Sequence, residues 1–446
     1  MARIYPFRAL RYNPSKAAPQ DVVTQPYDAI TPAMQQAYYQ RSPWNLVRIN
    51  LRMPELFDQE GDLYTNAARD FRAWREEGVL AQERQPCVFA YSQRFAAPGQ
   101  TGTMLERRGL IALGELYEYS QGVVFRHEQT RSQPKSDRLN LLRATRAQFG
   151  PIFMLYSDPA RSAEELLFGS DGMAATLPDI EVTDEYGVLH RVWKVSDPAK
   201  ISLLATTLED KKLIIADGHH RYETALEYRE EHGGGKPAEA CERMTATQPQ
   251  PAYPEAAAMM TFVNMDSEGL VILPTHRVVF GLPGFEASKL LEGARACFDV
   301  EELKDRDTAT AVARLAELQG RTAFVAVTAK GWYLLTAKAT AVAEALHSVP
   351  ERQRQLDVVQ LQHRVLEQLL GISAEAMREE THLRSLRDAA EATDQVARGE
   401  ANVAFLMNPV TLEQVREVAF AGEVMPQKST DFYPKLLSGL AIYALD

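Results

Sequence analysis

The 446-residue chain has little cysteine and no long apolar run. Cys87, Cys241 and Cys297 are odd in number and widely spaced, which excludes a disulfide framework and points to reduced thiols in a cytoplasmic setting. No stretch approaches the ~20 apolar residues of a membrane-spanning helix, so no membrane partner is expected. The start, Met1-Ala2-Arg3-Ile4-Tyr5-Pro6, lacks the apolar centre of a signal peptide. Positive charge is outweighed: 49 Lys and Arg face 60 Asp and Glu, for a net charge of -11. That balance argues against a nucleic-acid-coating surface and leaves room for a local basic pocket. Familiar catalytic signatures are missing as well. There is no GxSxG elbow, HExxH pair or GxGxxG fingerprint, and Gly233-Gly234-Gly235-Lys236 runs into Pro237 instead of Ser or Thr, so it is no Walker loop.

What is present is a globular composition, 45% hydrophobic and 24% charged, long enough for two or three domains. One stretch stands out. Lys212 to Ala216 reads as a short apolar strand, Asp217-Gly218 as a turn, and the residues from His219 as a helix ended by Gly233-Gly234-Gly235. Gly218 lets the backbone bend tightly and approach a ligand. The amides that follow are unpaired donors at the positive end of a helix, and Arg221 adds a planar cationic fork suited to phosphate or carboxylate. The residues thus describe an anion site. The competing account is a structural turn with Arg221 in an ordinary ion pair. His219 and His220 add donors, and Asp217 can hold a metal or a proton. Zinc is not expected, because adjacent histidines splay apart and no further ligand lies at metal spacing.

In chain order, Gln25-Pro26-Tyr27-Asp28 is extended, and Thr31-Pro32 opens a helix to about Gln40. Tyr27 and Asp28 either meet a ligand or fix a turn. Asn66 to Glu77 is amphipathic, with Phe71 and Trp74 as core. Strands follow at 87–91, 109–117 and 123–125, then a basic run holding Arg131, Lys135, Arg138, Arg143 and Arg146, with Ser136 as cap of a helix to about Gln148. The basic run suits either a polyphosphate or a solvated face. Further strands are expected at 150–156, 188–195, 259–264 and 270–273. Beyond them stand His276 and Arg277, which either line the site or are structural. The last third carries a helix at 308–318, a hairpin turning at Lys330-Gly331, helices over much of 356–370 and 383–398, a strand at 403–407, and a helix opened by a Thr411/Gln414 capping box with Leu412, Val415 and Ala419 inward. Met425 to Lys435 is an irregular loop able to hold an anionic group; solvated lysines at a sheet edge are the other option.

The Asp217-Gly218-His219-His220-Arg221 string resembles the ParB/sulfiredoxin superfamily, and in spelling the free serine kinases within it. His127-Glu128-Gln129 looks like that kinase's His-Glu-Gln segment, whose glutamate is the catalytic base. Met425 to Lys435 looks like its substrate-side ending. Over nearly its whole length the chain resembles domain-of-unknown-function family 1015, in Gln25 to Asp28, Arg126 to Tyr156, Asp217 to Leu226, Leu273 to Arg277 and Met425 to Lys435. The motifs at Glu128 and Asp217 lie further apart than in the kinase, so added elements intervene.

The resemblance implies an α+β fold: a ParB/sulfiredoxin-like nucleotide-binding core at 85–265, an N-terminal extension at 1–84 and a C-terminal α/β substrate-side domain at 266–446. It implies a phosphotransferase acting on the hydroxyl of free L-serine or a similar metabolite, with ATP, ADP or pyrophosphate as donor and Mg2+ held by Asp217. Glu128, Asp217 and His220 form the implied catalytic set, with Glu128 as general base. Gly218, His219, His220 and Arg221 cradle the polyphosphate, aided by His127, Arg131 and Lys135. Lys428, Ser429, Thr430 and Lys435 hold the substrate. Nucleotide and a small metabolite are the expected partners, no nucleic acid is expected, and a homodimer is allowed. The alternative is a nucleotide-binding regulatory or metabolite-binding protein without kinase activity. Sulfiredoxin chemistry is excluded, because its cysteine position after the turn glycine is His219 here.

Overall fold

The computed structural model describes residues 1–53, 62–129, 132–169, 176–232, 249–338, 346 and 349–446. The fold is mixed α+β and divides into two units. The first comprises Met1–Phe125, Thr130–Leu270 and Pro434–Asp446, the second Arg126–Gln129 and Val271–Tyr433.

The first unit is built on a nine-stranded sheet. Its order runs Val124–Phe125, Leu213–Asp217, Ile152–Tyr156, Ala257–Asn264, Met104–Glu115, Val88–Ala96, Leu189–Val195 and Ile180–Thr183, with Ile4–Tyr5 pairing to Met104–Glu115. Leu213–Asp217 is parallel to Val124–Phe125 and antiparallel to Ile152–Tyr156. All eight residues of Ala257–Asn264 are buried, as befits a central strand covered on both faces. Ile215, Met154, Met260 and Tyr222 meet in the main core, which brings the helix His219–Glu231 down on the sheet. A second cluster gathers Leu10, Val22, Ile49, Phe71, Trp74, Phe149 and Ile442, so the chain's first residues and its last pack together. Residues 1–84 fall in this unit, as do residues 85–265 apart from 126–129.

The second unit holds a six-stranded antiparallel sheet ordered Phe298–Leu303, Trp332–Ala337, Ala323–Thr328, Val403–Met407, His276–Val279 and Leu383–Leu386. Helices Thr308–Ala316 and Ala389–Ala397 supply Ala311, Leu315, Ala392 and Val396 to its core. Val271–Leu273 pairs with Asp431–Tyr433, which ties down the end of the C-terminal loop.

Local rules place several elements well. Thr31 caps Pro32–Arg41, and the Thr411/Gln414 capping box is closed in both directions. The hairpin turns at Lys330-Gly331, where the Thr328 carbonyl-side turn is fixed by its own hydroxyl bonding to the Gly331 carbonyl at 2.9 Å. Three expectations need correction. The basic helix spans Ser132–Thr145, so Ser136 lies inside it and not at its start. Residues 383–398 are not one helix. Leu383–Leu386 is a strand beside His276–Val279, and the helix starts only after Asp388, whose carboxylate accepts from the Ala390 and Glu391 amides. Leu412 is only partly buried; Val415, Val418 and Ala419 form the inner face. The segment at 357–369 is helical, with Leu361–Leu369 wound as a π-helix. Gly233-Gly234-Gly235 and Arg131 lie outside the described residues.

Candidate functional site

In the first unit the register of Leu213–Asp217 against Ile152–Tyr156 shifts between Ile215 and Asp217. A bulge there re-aims the next side chain. Gly218 follows with φ 92°, in the left-handed region, and the helix begins at His219. A Cβ at Gly218 would lie 3.0 Å from the Arg221 guanidinium, so glycine is needed both for the backbone angle and for the approach of Arg221.

Arg221 folds back over this turn. Its Nη2 donates to Asp217 Oδ2 at 2.7 Å, and its Nη1 donates to the Pro151 carbonyl. Asp217 Oδ1 accepts from Lys435 Nζ at 3.0 Å. Arg107, only 1% exposed, adds a third cation whose field reaches Asp217. Burial pulls the Arg107 guanidinium down to about 9, with Tyr91 and Asp217 acting against the fall, so it is charged at neutral pH.

Arg107 also fixes Lys435. Its guanidinium donates to Gln93 Oε1 and to the Pro434 carbonyl, and Gln93 Nε2 donates to the Lys435 carbonyl at 2.8 Å. Behind Gln93 stands a buried chain of polar groups. His190 Nδ1 lies 2.6 Å from the Tyr91 hydroxyl, His190 Nε2 lies 3.2 Å from Asp184 Oδ2, and Gln25 Nε2 donates to the same Asp184 oxygen at 3.0 Å. The Gln25-Pro26-Tyr27-Asp28 stretch is thereby anchored to the network that sets Lys435.

Beside Arg221 opens a cavity walled by Leu141, Leu142, Phe149, Ile152 and Ala225, with Tyr27, Arg138, Arg221, Gln148 and Ser438 among its polar groups. Arg138 stacks 4.2 Å over the Tyr27 ring and donates to the Asn50 carbonyl at 2.7 Å. Burial, then Asp28, raises the Tyr27 hydroxyl well above the ordinary phenol range, so Tyr27 is a neutral donor. Tyr27 therefore lines a cavity. Lys135 does not; it pairs with Glu227 at 2.8 Å, and Arg143 pairs with Glu231. Most of the basic run is a salt-bridged face, and Arg138 is its inward-turned member.

The second unit brings together the other two motifs, 300 residues apart in sequence. Glu128 forms a parallel bridge with Met425, and its Oε1 accepts from the Lys428 amide at 2.6 Å. His127, fully buried, lies 2.8 Å by Nε2 from Thr430 Oγ1 and edge-on to Phe432. Arg277 clasps the same loop, donating to the Gln427 and Lys428 carbonyls at 3.0 and 2.8 Å. Burial lowers Arg277 to about 10 while the Glu128 carboxylate opposes the fall. Ser429 Oγ turns inward onto the Pro426 carbonyl at 2.5 Å. His276 is structural: burial pulls it down to about 4, and its Nδ1 accepts from the Met407 amide at 3.1 Å.

The expected residues thus fall into two groups. Asp217, Gly218, His219, His220, Arg221 and Lys435 belong to the first unit; His127, Glu128, Lys428, Ser429 and Thr430 belong to the second. His127 is placed to hold the loop, and its burial does not suit a phosphate contact. Nor does Asp217 fit magnesium in this arrangement, because one carboxylate oxygen is ion-paired to Lys435 and the other to Arg221. Arg107 and Gln93 went unread. Arg107 sits beside Arg108 in a strand, where successive side chains face opposite ways, and composition does not tell which of the pair turns inward.

The profile of a family described as "Protein of unknown function (DUF1015)" matches residues 4–359. No curated protein matches the chain. Among solved structures, a conserved hypothetical protein from Pyrococcus furiosus is 15% identical at a TM-score of 0.34, covering 70% of this chain and 89% of its own. A free serine kinase mutant in complex with AMP is 14% identical at a TM-score of 0.35, covering 70% and 84%. SbnI with a C-terminal truncation, from Staphylococcus aureus, is 9% identical at 0.33, covering 73% and 85%. At TM-scores this low the likenesses assign this chain no activity.

Proposed function

The chain belongs to the DUF1015 family of proteins of unknown function, and from that premise we propose that it is a phosphotransferase with an alcohol acceptor. The observation that carries the reading is the charge at the Gly218 turn. Arg221 and Lys435 both pair with one carboxylate, Asp217, at the positive end of a 13-residue helix, and the buried Arg107 adds its field to the same carboxylate. Such an excess of fixed cation is an anion seat, and a polyphosphate matches both the forked guanidinium and the helix amides. A ParB/sulfiredoxin-like core is the finer fold assignment that goes with this reading.

In the reaction, the donor's phosphates lie at Gly218, His219, His220 and Arg221. Glu128 takes the proton of the acceptor hydroxyl as its oxygen bonds to phosphorus. The bridging P–O bond of the donor breaks, and the departing phosphate keeps the electron pair. ATP, ADP and pyrophosphate all meet the requirement for a donor, and free L-serine is the proposed acceptor. Lys428, Ser429 and Thr430 belong to the acceptor side, and Lys435 positions Asp217 and Arg221 on the donor side.

A second reading has its own support. Glu128 holds the Lys428 amide and sits in the field of Arg277, which suits a loop anchor in a nucleotide- or metabolite-binding regulator without transfer. Incubation of the full chain with ATP, ADP or pyrophosphate and a panel of hydroxylated amino acids decides between them. O-phosphoserine in the mass spectrum is the expected product. Its absence with every donor, alongside measurable nucleotide binding, would favour the regulator.

A further inference from the structure

The second unit contains a cavity with charge of both signs in its wall. Asp357 stands on one lining segment, while Arg321 and Lys428 stand on others. These charges do not cancel each other. Among the described residues no ion pair joins Asp357, Arg321 or Lys428 to a side chain of opposite sign. The Ala323 amide favours the charged form of Asp357, and no basic group enters the balance that sets its acidity. Thr275 also lines the cavity, and its Oγ1 is buried without a hydrogen-bond partner. Arg277 lines it too, with its guanidinium already committed to Ser385 and the loop carbonyls.

Asp357 is half-buried with no cation of the protein beside it, which disfavours its charged form, while Arg321 and Lys428 stand exposed on the same cavity wall with no anionic side chain paired to them. A ligand that carries both charges satisfies both ends at once. We infer that this cavity seats a small zwitterion, an α-amino acid, with its ammonium group on Asp357, its carboxylate on Arg321 and Lys428, and Thr275 Oγ1 as an added hydrogen-bonding group. Burial pushes the Asp357 carboxyl up to about 7. An arriving ammonium group supplies the counter-charge that restores its ionised form. The inference deepens the acceptor half of the proposed function and rests on that reading only for what happens to the amino acid once bound.

Calorimetry on the full chain without any donor tests it, with three probes: L-serine, D-glycerate, which lacks the ammonium, and ethanolamine, which lacks the carboxylate. L-Serine is expected to bind at least ten-fold more tightly than either single-charge probe. Asp357→Asn keeps an acceptor for the Ala323 amide and should bring L-serine to the level of D-glycerate while leaving D-glycerate unchanged. Arg321→Ala should weaken L-serine and D-glycerate together and spare ethanolamine. Equal affinity for all three probes, no binding of L-serine, or an Asp357→Asn protein that binds L-serine normally would overturn the inference. Phosphorylation of L-serine with an unchanged KM in Asp357→Asn would sink this assignment and leave the phosphotransferase standing. Asp357-dependent binding without any phosphorylated product would do the reverse.

Discussion

The Gly218 turn of the first unit and the Met425-to-Tyr433 loop of the second use charge in opposite ways. At the turn, Arg221 and Lys435 pair with Asp217 within the field of Arg107, and the surplus is positive. At the loop, Glu128 accepts from the Lys428 amide and Arg277 donates to the Gln427 and Lys428 carbonyls, and Lys428 and its neighbours line a cavity of mixed sign. A fixed positive surplus suits a ligand of one sign, such as phosphate; separated opposite charges suit a small zwitterion. The difference teaches that a conspicuous ion pair is not by itself the functional feature. What matters is which charges remain after the protein's own pairs are counted.

The largest effect should come from Glu128. Glu128→Gln keeps a carbonyl oxygen for the Lys428 amide and removes the base, so turnover should fall on the order of 10^2- to 10^4-fold with a nearly unchanged melting temperature. Glu128→Ala should lose turnover and loop anchoring together. Full turnover in Glu128→Gln would make the glutamate an anchor only and bring the two regions closer in kind. Next is Arg107→Met, which strands Gln93 Oε1 and the Pro434 carbonyl in a buried setting. A loss of about 2–4 kcal/mol in chemical denaturation is expected, since each stranded acceptor costs roughly 1–3 kcal/mol. An unchanged midpoint would mean the network behind Lys435 is dispensable. Gly218→Ala should cost about 1–2 kcal/mol from the left-handed backbone angle and should displace Arg221, weakening anion binding in a fluorescence or calorimetric titration. Normal binding there would remove the turn from the site.

The remaining effect concerns pH. The folded pKa of Asp357, about 7, lies above the ordinary carboxylate value near ~3.9. Its stabilising contribution is therefore complete below about pH 4 and is lost as pH rises through 7. Asp357→Asn should flatten that part of the melting-temperature profile and melt higher than the parent at pH 8. A parallel profile in the two proteins would show that Asp357 titrates normally.

The sequence made the turn legible because its signal is local: an apolar strand, Asp217-Gly218 and a helix start occupy consecutive residues. Caps at Thr31 and Thr411 were readable for the same reason. The meeting of Glu128 with the Lys428 loop was suggested only by the spelling of two motifs. Nothing in either motif alone reports contact across 300 residues. Residues 383–398 misled because helix-like spacing ran through Leu383–Leu386, whose place is set by pairing with His276–Val279 and not by its own periodicity. Arg107, Gln93 and Asp357 were invisible for a related reason. Their importance comes from burial among partners distant in sequence, and a lone Arg, Gln or Asp reads as surface. The basic run illustrates the converse: five conspicuous cations were readable, but the fold neutralises Lys135 and Arg143 with helix carboxylates and turns Arg138 inward.

The account depends most on anion capture at the Gly218 turn, and a calorimetric titration of the full chain with ADP and with pyrophosphate tests it directly. One site per chain is predicted for each, with affinity at least ten-fold weaker in Arg221→Ala and declining as salt is raised. Absence of binding by both anions, or equal binding by the parent and Arg221→Ala proteins, would contradict it.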